Sequence, residues 1–162
     1  MTGKTHAAAG AFVGAALGHL AGEPYLGMAL GALGGLLPDV DHPGSWAGRR
    51  LRPVAVLLEN LAGHRTVTHT LWFALFLGGL GALLAACLRG LAALSVWFAA
   101  LALFVGALSH LALDALTRSG IEPLAPVKSW HVRGPLVTGD PFVEWPAAAL
   151  FALGALRLAG LI

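Results

Sequence analysis

Histidine and aspartate residues form four short clusters along the chain. The clusters are one histidine near the start, an Asp-Val-Asp-His run, two histidines five residues apart, and a histidine followed four residues later by an aspartate. Imidazole nitrogens and carboxylate oxygens suit zinc, manganese or iron, and these clusters contain no thiolate to select copper(I). The candidate metal ligands are His6, Asp39, Asp41, His42, His64, His69, His110 and Asp114.

The most informative of these clusters is the pair His110 and Asp114. Residues four apart share one face of a helix, so the two side chains can hold one ion or two neighbouring ions. A histidine and a carboxylate within an apolar helix are costly unless they are paired or coordinated. The alternative is a hydrogen bond between them that fixes helix packing without a metal.

Two residues near the other clusters are candidates for catalysis. Asp41 follows the bend expected at Pro38, which can turn it and Asp39 inward, although aspartates are also common in turns. Arg65 lies between two candidate ligands, where its planar guanidinium could hold two oxygens of a phosphoester. Its alternative role is that of a positive charge that helps to set the membrane topology. Eight candidate ligands exceed the four of a structural zinc site, leaving room for two ions or for one ion and a general base.

The elements that position these residues must be membrane helices. Of the 162 residues, 57% are hydrophobic and 11% charged, against about 45–50% and about 25% in soluble domains. This composition excludes a soluble globular enzyme and a disordered chain, and the single Cys87 excludes a disulfide framework. We expect an all-α integral membrane protein, with residues 1–162 forming one transmembrane helical domain.

About five transmembrane spans are predicted. Residues 70–88 and 90–109 carry no charge, and each stretch can cross about 30 Å of hydrocarbon as a helix. Arg89 and Gly90 separate them, which predicts a hairpin. In the first two spans glycine recurs every fourth residue, which predicts close helix packing. The predicted spans are about 7–21, 26–37, 70–88, 90–114 and 142–162.

Five alternating spans would bring all four clusters to one membrane face. That face carries eight of the ten Lys and Arg residues, an excess typical of the cytoplasmic side. The sequence therefore predicts a cell (inner) membrane protein whose metal site faces the cytoplasm, with membrane lipid as its partner. Arg49, Arg50 and Arg52 are expected to contact lipid headgroups, and no aromatic-plus-basic pattern indicates nucleic-acid binding.

Four motifs resemble a bacterial and archaeal family of membrane-bound, metal-dependent hydrolases, one enterobacterial branch of which is described as LexA-regulated. The resemblance covers about residues 1–120 and implies a membrane hydrolase with a divalent metal at these motifs. The spacing of His110 and Asp114 is also similar to a pattern of zinc phospholipase C and P1 nuclease, which favours a phosphoester substrate. The motifs are Thr5-His6, Leu37-Pro38-Asp39-Val40-Asp41-His42, residues 64–70 and residues 109–114.

We therefore expect a hydrolase that uses one or two divalent ions to activate a water molecule, which then attacks a phosphoester or lipid-like substrate. Zn and Mn are the first candidates for the ion. One alternative is a non-enzymatic membrane protein that binds a metal or a partner. Metal transport is disfavoured because polar groups are nearly absent from the spans beyond the clusters. A metal-free polar cluster that only fixes helix packing is the remaining alternative.

Overall fold

The computed structural model describes residues 1–63, 66–88 and 96–162. These residues form helices joined by turns, which confirms the all-helical expectation, and they contain no β-strand beyond two isolated bridges, Thr117 with Leu136 and Ile121 with Val132. A 3₁₀-helix, Leu37–Asp41, follows the second α-helix. The α-helices are α1 (Gly3–Ala21), α2 (Pro24–Leu36), α3 (Trp46–Arg50), α4 (Arg52–Ala62), α5 (Leu71–Cys87), α6 (Val96–Ala115) and α7 (Pro141–Leu158).

Helix ends follow ordinary capping chemistry. Gly22 ends α1 in the left-handed region (φ 78°), which glycine adopts without strain, and Pro24 opens α2 at a position that needs no amide hydrogen. Thr70 caps α5 through its hydroxyl, which accepts a hydrogen bond from the Phe73 amide at 3.3 Å. Asp140 caps α7 in the same way, accepting from the Phe142 amide at 2.9 Å.

Glycine faces bring α1, α2 and α6 together at backbone distance. A methyl group on Gly14 would lie 2.0 Å from the carbonyl oxygen of Gly27, and one on Gly34 would lie 2.3 Å from that of Leu103. Helix α2 therefore packs against both α1 and α6, in the close contact that small residues permit. The packing brings the start of α1 and the ends of α2 and α6 to one end of the bundle.

Gly14→Ala is expected to destabilise the protein by about 1–3 kcal/mol, because the new methyl group meets backbone atoms, which cannot rotate away. Gly79→Ala in α5 is the matched control, since nothing lies within 4 Å of the added methyl group. The thermal unfolding midpoints of the two variants in the same detergent measure the difference. Equal midpoints would contradict the packing described for α1 and α2.

Helix α6 has 20 residues and, within the described ranges, is the one helix long and apolar enough to cross a membrane by length and composition; α5 is a shorter apolar helix. The other stretches predicted as spans, about 7–21, 26–37 and 142–162, fall largely on α1, α2 and α7. Their crossing of a membrane stays a prediction. The predicted turn at Arg89 and Gly90 lies outside the described residues.

Candidate metal centre

Five side chains from four parts of the chain meet at the end of the bundle where α1 begins and α6 ends. We call them the His/Asp cluster. Four members are fully buried, and Asp39, at the 3₁₀-helix, retains 17% of its side-chain surface exposed. The cluster thus touches the accessible surface through Asp39. Its members are His6 in α1, Asp39, His69 just before α5, and His110 and Asp114 in α6.

Asp39 and Asp114 each place a carboxylate oxygen near the Nε2 atoms of both His69 and His110. The Nε2 atoms of His69 and His110 are 3.2 Å apart. Asp39 Oδ1 lies 3.5 Å from the first and 3.7 Å from the second, and Asp114 Oδ2 lies 3.6 Å and 3.7 Å from them. Ligands of a tetrahedral zinc ion, at about 2.0–2.2 Å from it, are about 3.3–3.5 Å apart. Each carboxylate therefore fits, together with the two histidines, the ligand spacing of a divalent ion.

Hydrogen bonds behind the two histidines aim their Nε2 lone pairs at each other. His110 Nδ1 lies 2.8 Å from the carbonyl oxygen of Gly35, which can only accept. The Thr68 hydroxyl donates to Asp41 Oδ2 at 2.6 Å and so accepts from His69 Nδ1 at 3.0 Å. Both Nδ1 atoms then carry the proton, and two lone pairs face each other at 3.2 Å. Such facing lone pairs repel unless a cation lies between them, as in metal sites with oriented imidazole ligands.

The structure places Asp41 behind the ring of His69. A 3₁₀-helix has three residues per turn, so Asp39 and Asp41, two apart, point to different sides of it. Asp41 Oδ2 lies 3.8 Å from Nδ1 of His69, on the far side of that ring from the cluster. Asp41 is thus placed to orient a ligand through Thr68, and its predicted roles as an ion ligand and a catalytic residue stay predictions.

The structure places His42, also predicted as a ligand, at the surface. The chain becomes extended at this residue (φ −111°, ψ 110°) and turns its side chain outward. His42 is half-exposed, with Nδ1 3.9 Å from Oε1 of Glu59 in α4, and it lies outside the His/Asp cluster. His64 and Arg65 lie outside the described residues, so their ligand and anion-binding roles stay predictions.

His6 adds a further donor to the cluster. Its ring stacks on that of His110 with centroids 3.6 Å apart, and its Nε2 lies 3.2 Å from Asp114 Oδ1 and 3.1 Å from the carbonyl oxygen of Met1. Among the described residues its buried Nδ1 has no hydrogen-bond partner, which is costly for a polar atom. A metal ion would satisfy it. Two ligand triads share His110, namely His6, Asp39 and His110, and His69, His110 and Asp114.

The charge state of Asp39 suits a cation. Burial raises the pKa of this carboxyl, but the neighbouring imidazoles of His69, His110 and His6 outweigh burial and hold the pKa well below its usual range. Asp39 is therefore ionised at neutral pH. An ionised carboxylate is the form that binds a metal.

Three supporting groups were not identified as such from the sequence. Thr68 and the carbonyl of Gly35 orient the two candidate ligand histidines. A backbone carbonyl leaves no signal in a sequence. The only sequence signal of Thr68 is its position next to His69. Glu144 is buried and accepts hydrogen bonds from the amides of Thr2 and Gly139, both at 2.9 Å, and from the Thr5 hydroxyl. It fastens α7 to the start of α1 beside the cluster.

Thr68→Val is expected to lower zinc affinity about 10- to 100-fold, the usual cost of losing a group that orients a metal ligand. Thr68→Ser should restore most of the affinity, because it returns the hydroxyl. Thr66→Val is the control, since Thr66 is exposed and its hydroxyl donates to the carbonyl of Gly63. Competition with a chromogenic chelator measures the affinities, and equal values for Thr68→Val and Thr66→Val would rule out this orienting role.

Comparisons with known proteins locate the chain among membrane proteins. The family described as YdjM inner membrane protein matches residues 1–161. The chain is 36% identical over 137 residues to the uncharacterized protein YvsG of Bacillus subtilis (strain 168), covering 84% of this chain and 79% of that protein. It is also 36% identical over 123 residues to the inner membrane proteins YdjM of Escherichia coli (strain K12) and Shigella flexneri, covering 72% of this chain and 58% of each relative. No solved structure gives a significant match.

Proposed function

Because the chain belongs to the YdjM inner membrane protein family, we propose that it crosses the inner membrane five times, through α1, α2, α5, α6 and α7. The names of its relatives support the inner-membrane location. The excess of Lys and Arg at the end that holds the His/Asp cluster supports a cytoplasmic orientation of that end. The cluster would then lie at the boundary between the membrane and the cytoplasm.

We further propose that the His/Asp cluster binds one divalent ion, or two, with Zn or Mn as the first candidates. The main support is the 3.2 Å distance between the Nε2 atoms of His69 and His110. Hydrogen bonds at the Nδ1 atoms of both rings direct these Nε2 atoms inward. A shared proton could bridge the two nitrogens, but it would leave the buried Nδ1 of His6 unsatisfied. A metal ion explains both features, and the mixed imidazole and carboxylate donors suit Zn, Mn or Fe.

The activity proposed for this centre is hydrolysis of a phosphoester or lipid-like substrate at the cytoplasmic interface. When bound, the ion would supply a Lewis acid that polarises the scissile group and makes water a better nucleophile. The chain's own residues hold the donors in place: Thr68 and Asp41 fix the ring of His69, and Gly35 fixes that of His110. Asp39 presents the side of the centre that a substrate could reach.

A non-enzymatic metal-binding protein is the second candidate. Four members of the cluster are fully buried, and closed sites with four protein ligands are typical of structural zinc. The partial exposure of Asp39 and the cavity beside it, described below, favour the hydrolase.

The discriminating experiment uses the full chain, purified in detergent and supplied with Zn or Mn, and nitrophenyl probes of three kinds. Release of nitrophenol from a phosphomonoester or phosphodiester by the wild type, but not by His69→Ala, would support the hydrolase. Release of nitrophenol from the carboxylic ester alone would show that the substrate is a carboxylic ester and not a phosphoester. A metal-loaded protein that cleaves none of the probes, nor a phospholipid in mixed micelles, would favour the metal-binding protein.

A further inference from the structure

A cavity with a volume of about 910 cubic ångströms opens beside the His/Asp cluster and reaches Asp39. Three separate parts of the chain enclose it: the start of α1, the region from the 3₁₀-helix to α3, and the start of α7. Two tryptophans, Trp46 and Trp145, line it together with the cations Lys4 and Arg49. Asp39 thus belongs both to the candidate metal centre and to the wall of this cavity.

The uncommitted charges in this cavity are positive. Lys4 and Arg49 form no ion pair within the ranges that the structure describes, and Lys4 Nζ lies 5.5 Å from the ring centroid of Trp145. Both acidic residues in the wall are engaged elsewhere: Glu144 accepts hydrogen bonds from the start of α1, and Asp39 faces His69. The cavity is therefore suited to an anion, which two cations from different elements could hold from two sides.

The side of the cavity between α1 and α7 is apolar. Ala7 lies one turn beyond Lys4 on α1, and Ala148 lies one turn beyond Trp145 on α7. Their small side chains leave space between the two helices, whereas farther along the same interface the rings of Phe12 and Phe151 meet with centroids 5.9 Å apart. An alkyl chain attached to an anionic group could lie in this space.

We propose that the cavity binds an anionic amphiphile with a phosphate headgroup, held by Lys4 and Arg49, and with its chain between Ala7 and Ala148. This inference rests on the proposed function, because it identifies the substrate class of the same centre. Arginine matches phosphate through two parallel hydrogen bonds, and lysine adds a point charge. The headgroup then lies beside Asp39, within reach of the candidate metal centre.

Binding can be tested without turnover, using the full chain in nanodiscs of zwitterionic lipid and brominated dodecyl phosphate as the probe. Bromine on the alkyl chain should quench the fluorescence of the cavity tryptophans in a saturable way. The quenching should exceed that by brominated dodecyl maltoside, which has the same alkyl chain and a neutral headgroup. Lys4→Gln/Arg49→Gln should weaken dodecyl phosphate binding at least tenfold, since charge-assisted hydrogen bonds are lost. Lys128→Gln/Arg133→Gln is the matched control: it removes the same two residue types from exposed positions outside the cavity.

The apolar half of the site has its own test. Ala148→Phe should fill the space beside α1 and weaken dodecyl phosphate binding, while inorganic phosphate still competes with the probe as it does in the wild type. If inorganic phosphate competes as tightly as the dodecyl ester, the cavity is a free-phosphate site and the amphiphile is excluded. Equal binding of the phosphate and maltoside probes, or no effect of Lys4→Gln/Arg49→Gln, overturns the proposal.

The outcomes also separate this inference from the hydrolase proposal. Saturable binding that depends on Lys4 and Arg49, with no hydrolysis by metal-loaded protein, contradicts the hydrolase and leaves an anionic-lipid site. Hydrolysis that is unchanged in Lys4→Gln/Arg49→Gln, measured as kcat/KM on a long-chain phosphoester, supports the hydrolase and contradicts this assignment of its substrate site.

Discussion

Removal of divalent ions is expected to lower the rate of phosphoester hydrolysis by at least about a thousandfold. The ion would provide several kcal/mol of charge stabilisation, and about 4 kcal/mol corresponds to a factor of a thousand in rate. Without it, the negative charge that develops in the transition state would face the carboxylates of Asp39 and Asp114, so the metal-free centre disfavours the reaction. The rate of nitrophenol release before and after dialysis against a chelator measures the effect.

Restoring Zn or Mn provides the control for damage during chelation. The rate of hydrolysis should return in proportion to the ion added, up to one or two equivalents of ion per protein molecule. Hydrolysis that continues undiminished after complete removal of the metal would show that the His/Asp cluster acts without an ion.

Loss of two cluster ligands is expected to abolish stabilisation of the protein by metal. A ligand that binds only the folded state stabilises it by about 4 kcal/mol at a thousandfold excess over its dissociation constant. His110→Ala/Asp114→Ala removes two of the three donors of the triad His69, His110 and Asp114. Zinc should therefore raise the unfolding temperature of the wild type by several degrees and leave that of the double variant unchanged.

His19→Ala is the matched control for this prediction. His19 lies in the last turn of α1, at the opposite end of that helix from His6, with Nδ1 3.1 Å from the carbonyl oxygen of Leu158. Its removal should leave the zinc-dependent shift intact. An equal shift in all three proteins would mean that zinc stabilises the fold from some other site.

The helices and their closest packing could be predicted from the sequence because they depend on local periodicity. Charge-free runs predict the apolar helices, and glycine at every fourth residue places Gly10, Gly14 and Gly18 on one face of α1. The meeting of the ligand clusters at one end follows from alternating helix directions. These features need only the spacing of residue types along the chain.

The detailed composition of the centre could not be predicted, because it depends on tertiary contacts and local rotation. In the Asp-Val-Asp-His run, the 3₁₀ twist decides that Asp39 faces the cluster while Asp41 lies behind His69. The extended backbone at His42 then turns that side chain toward Glu59. Lys4 and Arg49 are 45 positions apart, and only the fold brings them to one cavity.

The metal content of the purified protein tests the central claim most directly. Elemental mass spectrometry would be applied to the wild type and to His110→Ala/Asp114→Ala, prepared in the same detergent and incubated with the same ions. We expect one or two equivalents of Zn, Mn or Fe in the wild type and less than a tenth of that amount in the double variant. Wild-type protein that contains no metal, even after reconstitution, would contradict the claim and leave the His/Asp cluster as a hydrogen-bonded element of helix packing.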